Sequence, residues 1–149
     1  MTGPLFLLDT SIVLALVRGT ELASFIERKL GLRASKVRPM ISVVTHGEVR
    51  VLASRNSWGA KKLAVLQSAL SDLVTVDINH PAVLDAYVEI DIYSQRGPGG
   101  ARNMGKNDLW IAACAKAAGA TLVTTDKDFD HLARTMISLQ FIDPHGATP

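Results

Sequence analysis

The stretch that most constrains this chain is Lys106 to Phe129, Lys-Asn-Asp-Leu-Trp-Ile-Ala-Ala-Cys-Ala-Lys-Ala-Ala-Gly-Ala-Thr-Leu-Val-Thr-Thr-Asp-Lys-Asp-Phe. Leu109 to Ala118 are so uniformly small and apolar that a helix here is buried on most of its surface. Asn107 or Asp108 can accept a backbone N–H at the helix start, and Gly119 stops the helix. Ala120 to Thr124 fit a short inward-facing strand. Thr125, Asp126, Lys127 and Asp128 follow at its carboxyl end, where open α/β sheets place their chemistry. Two acidic positions, Asp108 and Asp126, thus bracket one helix and one strand.

The rest of the chain repeats that alternation. Leu5 to Leu8 form a continuous apolar run that ends at Asp9-Thr10-Ser11, a buried strand followed by a helix cap. Ile12 to Val17 and Glu21 to Leu30 read as two helices broken at Gly19-Thr20, and a basic connection with Arg33, Lys36 and Arg38 follows. Met40 to Val44 read as a second strand, with Thr45 or Ser42 capping the helix that carries Glu48. Leu63, Leu66, Leu70 and Leu73 mark an amphipathic helix, and a third strand lies within Leu73 to Ile78. Pro81 opens a helix whose inner face is expected at Leu84, Tyr87 and Val88. Gly97 to Lys106 is a Gly-rich connection leading to Asp108. Asp128 to Thr135 suit a short helix, Ser138 to Ile142 a last strand, and the tail from Pro144 frays. Strands alternating with helices predict an α/β fold, a three-layer α/β/α sandwich with a mainly parallel central sheet.

Composition narrows the function classes. The 149 residues are 48% hydrophobic, which suits one domain spanning residues 1–149 with a sizeable core. A net charge of +2 permits a nucleic-acid partner without demanding one. Cys114 is the only cysteine, which excludes an intrachain disulfide or a multi-thiolate metal site and fits a reducing cytoplasm. No apolar run approaches the roughly 20 residues needed to span a bilayer, and the start lacks a basic leader. A soluble protein with no membrane partner is expected. The four histidines form no ligand pair on one helix face, and His46 is the one nearest the acidic positions.

In a parallel sheet the strand carboxyl ends open on one edge. Asp9 and Asp126 at strand ends, Asp108 at a helix start and Glu48 near another can therefore converge on one pocket. Carboxylates brought together raise one another's pKa, and a bound hard cation, Mg²⁺ or Mn²⁺, relieves the repulsion. Each residue also has a plainer reading: Asp9 as a helix cap, Glu48 as a solvated helix residue, Asp108 as an N-cap, Asp126 as a turn residue, Asp128 as a cap of the helix after it.

Leu-Leu-Asp9-Thr-Ser, Thr45-His-Gly-Glu48, Asn107-Asp108-Leu-Trp-Ile-Ala-Ala and Thr124-Thr-Asp126-Lys-Asp-Phe129 stand in an order and spacing that resemble the PIN-domain nucleases, most closely the VapC-like toxins of prokaryotic toxin–antitoxin pairs. The resemblance implies a cytoplasmic, divalent-metal-dependent endoribonuclease that hydrolyses RNA phosphodiesters. It also implies a homodimer, a small cognate antitoxin, and promoter DNA met only through the antitoxin. Carried over, Asp9 and Asp108 are the main metal-binding carboxylates, Glu48 and Asp126 complete a quartet, and Asp128 is a candidate fifth. Thr10, Ser11 and Thr125 are candidates for orienting carboxylates, and Arg102 and Lys106 for contacting phosphate. The loop before Asp108 is longer and richer in glycine than is usual in the family. Two other functions remain open: a non-catalytic PIN-like module that binds RNA or a partner, and a receiver-like domain phosphorylated at Asp9, for which a second acidic cluster by the first strand is missing.

Overall fold

The computed structural model of the protein describes residues 4–97 and 100–146. The elements run β1 (Phe6–Leu8), α1 (Thr10–Arg18), α2 (Glu21–Leu30), β2 (Met40–Ser42), α3 (Val43–Arg55), α4 (Ala60–Ser71), β3 (Val74–Val76), α5 (Pro81–Arg96), α6 (Lys106–Ala118) and β4 (Thr121–Thr124). A 3-10 helix (Lys127–Leu132) and β5 (Ser138–Phe141) follow. All four strand pairings are parallel, in the order β3-β2-β1-β4-β5. The chain from β1 through β2 to β3 builds toward one edge, and β4 to β5 toward the other. The direction therefore reverses between β1 and β4, where doubly wound sheets open a crevice beyond their carboxyl ends.

The pleat sorts the strand side chains between two helical layers. Leu7 and Leu122 belong to a buried cluster with Val83, Ala86 and Ile90 of α5 and with Leu109 and Ile111 to Ala115 of α6. Leu8, Ile41 and Val123 belong to a second cluster with α1, α2, α3 and α4. The expected α/β/α sandwich is thus present, with every strand parallel.

Several local expectations are corrected. The inner face of α5 is Val83, Ala86, Ile90 and Ser94; Leu84 and Val88 are exposed, whereas Tyr87, as expected, packs against the same cluster, with its ring centroid 4.2 Å from that of Trp110. The helix carries two apolar stripes, and the one with smaller side chains faces inward because α6, rich in alanine, lies against it in the same cluster. On α4, Leu63 is exposed while Leu66 and Leu70 are buried. β2 ends at Ser42, whose Oγ accepts from Val44 N at 3.1 Å; Ser42 is therefore the cap, and Thr45 is buried inside α3. The N-cap of α6 is Gly105, not Asn107 or Asp108. The helix expected at Asp128 to Thr135 is the 3-10 helix, ending at Leu132. Within the Gly-rich connection Pro98 and Gly99, and within the tail Ala147 to Pro149, lie outside the described residues, as do Met1 to Gly3. Among the described residues no helix is long and apolar enough to cross a membrane.

Candidate metal centre

Asp9 leaves the end of β1 and caps α1. Its backbone N–H donates to Val123 O at 2.9 Å, which extends the β1–β4 ladder by one rung and fixes where the side chain points. The carboxylate is 5% exposed. Its Oδ1 accepts from Thr10 N at 2.8 Å, and its Oδ2 from Ser11 Oγ at 3.2 Å and Thr124 Oγ1 at 2.6 Å. Burial raises the Asp9 pKa, these three donors oppose the rise, and the charge of Glu48 adds to it.

Glu48 projects from the second turn of α3. Thr10 Oγ1 donates to its Oε1 at 2.7 Å and lies 3.1 Å from Thr45 Oγ1. The Thr10 hydroxyl has one proton, which goes to the carboxylate, so the Thr45 hydroxyl is the donor in the second contact. A relay of Thr45, Thr10 and Glu48 thereby joins α3 to α1.

Asp108 stands in the first turn of α6 and Asp126 caps the 3-10 helix, where its Oδ1 accepts from Asp128 N at 2.9 Å. Asp126 N donates to Thr124 Oγ1 at 3.0 Å, so one buried threonine holds both the Asp9 carboxylate and the backbone of Asp126. One carboxylate oxygen from each of Asp108, Asp126 and Asp128 lies within 4.8 Å of the others. The Asp108 pKa is pushed up to about 7, first by burial and then by the charges of Asp9, Asp126, Glu48 and Asp128. All five acidic candidates therefore act on one spot. Among the described residues the ion pair is Lys116 with Glu89 at 3.6 Å, and no lysine or arginine pairs with any of the five.

An all-oxygen donor set with unbalanced negative charge suits a hard divalent cation such as Mg²⁺ or Mn²⁺. The inner pair, Asp9 and Glu48, is held by protein hydroxyls; the outer three have a single internal donor among the described residues, the Asp128 N–H. Asp128 joins the tight trio although its side chain is exposed.

The other sequence candidates fall as follows. Thr10 and Ser11 each donate to a carboxylate, whereas Thr125 contributes its backbone N–H to Ser11 Oγ at 3.3 Å. Thr124 takes the place expected of Thr125, because the pleat turns Thr124 inward at the end of β4. Thr124 was not expected at the site, and Thr45 was expected only as a helix cap; the signal for Thr124 was its period-two register with Leu122. Arg102 and Lys106 are exposed, and neither is among the charges that act on Asp108. His46 meets Thr75 Oγ1 at 3.0 Å on β3. Cys114 is fully buried, with its thiol 3.4 Å from Ser42 Oγ.

The model of the PIN domain matches residues 6–135. No curated protein sequence matches the chain. Among solved structures, VapBC2 from Rickettsia felis bound to a promoter DNA fragment is similar with a TM-score of 0.75 at 24% identity, over 93% of this chain and 99% of that one. DNA-bound VapBC from Salmonella typhimurium gives 0.72 at 21%, over 93% and 98%. FitAcB from Neisseria gonorrhoeae gives 0.70 at 24%, over 92% and 96%. These likenesses establish a shared fold. With the match over residues 6–135 and acidic side chains gathered where the parallel sheet reverses direction, the chain belongs to the PIN domain family.

Proposed function

We propose that the protein is a divalent-metal-dependent endoribonuclease, the toxin of a toxin–antitoxin pair. The observation that carries this reading is the cluster of carboxylates around Asp108, held at the sheet's switch point with no basic partner among the described residues and with Asp108 driven to a pKa of about 7. A binding module gains nothing from keeping such repulsion. Asp108 and Asp126, with Asp128 at the exposed rim and Asp9 and Glu48 behind them, would hold Mg²⁺ or Mn²⁺. When bound, the ion would supply positive charge that activates water and steadies the phosphate.

The reaction is hydrolysis. A water oxygen bonds to phosphorus as the P–O3′ bond breaks, and the water's protons pass to the released 3′-oxygen and to solvent. Thr10, Ser11 and Thr124 aim the carboxylates of Asp9 and Glu48, and Arg102 and Lys106 are assigned to the RNA backbone. Arg102 lies in the loop before α6 and Lys106 is its first residue, two before Asp108.

Partners fit two other surfaces. A groove of about 1120 Å³ between α1, α2 and α4 has an apolar floor including Leu16, Val65 and Leu73, is lined by Arg28, Arg33, Arg38 and Lys61 against Glu27 and Asp72, and includes none of the five carboxylates. That balance favours an amphipathic segment with acidic flanks, and we assign the groove to a cognate antitoxin. The similar solved chains come from complexes named VapBC and FitAcB, two of them with DNA. Promoter DNA would be met through the antitoxin. Leu84, Val88 and Ile92 form an exposed ridge at i, i+4 and i+8 on α5, assigned to the contact with a second copy in a homodimer.

The test compares wild type with Asp108→Asn: calorimetry of Mg²⁺ and Mn²⁺ binding, and cleavage of total RNA with and without EDTA. Wild type is expected to bind the ion and cut only with metal, while the folded variant does neither. Equal RNA binding with no metal affinity and no cleavage in either protein would replace the nuclease with a non-catalytic RNA- or partner-binding module.

A further inference from the structure

Asp108 reaches the site from α6, whereas Asp126 and Asp128 reach it from the 3-10 helix, and the two elements are tied together by a buried serine that none of the roles above uses. Ser94, on the last turn of α5, is 1% exposed. In a continuing helix its carbonyl would accept from residue 98, which is Pro98 and has no N–H. The carbonyl instead accepts from Arg102 N at 2.7 Å, which pins the connection leading to Asp108 onto the end of α5. The Ser94 hydroxyl lies 2.9 Å from His131 Nε2 and 3.4 Å from Met104 Sδ.

One ring nitrogen of His131 meets Ser94, and the tautomer of the ring sets which of the two atoms donates. Its Nδ1 is shut off from solvent and has no hydrogen-bond partner among the described residues. In either tautomer the contact holds Ser94 Oγ to His131 Nε2, with Met104 Sδ beside the same hydroxyl. In a 3-10 helix residues i and i+3 share a face, so His131 anchors the face that presents Asp128, while Asp126 caps the same helix. Tyr93 flanks the ring with planes 7° apart and centroids 6.5 Å apart, and its hydroxyl accepts from Thr135 Oγ1 at 3.1 Å.

We propose that Ser94 and His131 form a clasp that sets the position of Asp108 against Asp126 and Asp128 by locking residues 100–105 to the 3-10 helix. The consequence for metal binding rests on the nuclease reading above; the clasp itself does not. Both are positioning residues, since neither reaches the carboxylates. His131→Leu and Ser94→Ala remove the bond, and His131→Gln keeps an amide N–H able to reach Ser94.

The experiment measures amide hydrogen exchange over residues 100–108 and Mn²⁺ affinity in the full chain, beside the thermal midpoint of each variant. The first two variants should exchange at least about tenfold faster in that segment, with α1 and β1 unchanged, and bind Mn²⁺ about 10–100-fold more weakly. His131→Gln should restore both. Unchanged exchange in His131→Leu and Ser94→Ala would overturn the clasp, as would a His131→Gln protein as impaired as His131→Leu, which would reduce the contact to packing. Faster exchange with wild-type Mn²⁺ affinity would cut its link to the acidic cluster. Should wild type bind no Mn²⁺, the nuclease reading fails while the exchange measurement still decides the clasp.

Discussion

Asp9 accepts from two hydroxyls and Glu48 from one, whereas among the described residues Asp108, Asp126 and Asp128 face one another with one backbone N–H donor. The two halves of the site carry the same kind of charge and resolve it differently. In the inner half, Ser11 and Thr124 donate to Asp9, and Thr10, backed by Thr45, donates to Glu48, so hydrogen bonds made within the chain oppose the burial that raises the Asp9 pKa. In the outer half the repulsion is left standing, and Asp108 carries the largest share of it. Donors from the protein make a rigid floor, and the unsatisfied carboxylates above it form the place where an external cation changes the energy most.

The largest effect should come from removing the charge on which the outer half converges. Asp108→Asn is expected to lower RNA cleavage on the order of 10³-fold, the scale of losing one preorganised electrostatic group. Cleavage by the folded variant at the wild-type rate would erase the distinction between the halves. Next is the threonine that serves both. Thr124→Val keeps the shape but strips a donor from Asp9 and an acceptor from Asp126 N–H. It should cost about 1–3 kcal/mol of stability and weaken metal affinity about 10–100-fold, read by thermal unfolding and calorimetry. A neutral result would show the inner floor to be dispensable.

Acidity separates the halves without substrate. In the metal-free protein the Asp108 pKa stands above its ordinary 3.8, at about 7. Between those values the folded protein holds a proton that the unfolded chain has lost, so stability is greatest at low pH, falls as pH rises through this window and levels off above it. The rise corresponds to at most about 4 kcal/mol, reduced by solvent at this half-buried carboxyl to roughly 1–2 kcal/mol. Chelator-treated wild type should thus lose stability between about pH 4 and about pH 7. Asp108→Asn should lose less, and Mg²⁺ at 100 times its Kd should return about 2.7 kcal/mol to wild type at pH 8. A flat profile would remove the unbalanced charge from the outer half. The smallest effect belongs to Asp128→Asn. Its side chain is exposed, so its charge should contribute at most about 1 kcal/mol, a loss of metal affinity of up to about fivefold. A loss as deep as that of Asp108→Asn would promote it to a principal ligand.

Much of this was legible in the residues. The small apolar run of α6, the abrupt ends of β1 and β4 and the four acidic positions placed the strands, the sandwich and the site, because burial and period-two or period-3.6 patterning are local signals. The misses share one cause. Leu84 and Val88 are larger and more apolar than Ala86 and Ser94, yet α5 turns the smaller stripe inward because its buried neighbour α6 is rich in alanine. Thr125 sits beside Asp126 in sequence, but the pleat of β4 gives the contact with Asp9 to Thr124.

The sequence by itself determined which residues are acidic, where strands and helices alternate, and that these elements place Asp9, Glu48, Asp108 and Asp126 toward one edge of a parallel sheet. Tertiary structure alone decided which carboxylates meet and who holds them: Asp128 with Asp108 and Asp126, Thr124 bridging β4 to Asp9, Thr45 behind Thr10, and Ser94 bridging Arg102 to His131. These contacts join residues as far as 115 positions apart. Hydrogen bonds a few ångströms long depend on how the packed layers meet, which no local pattern encodes.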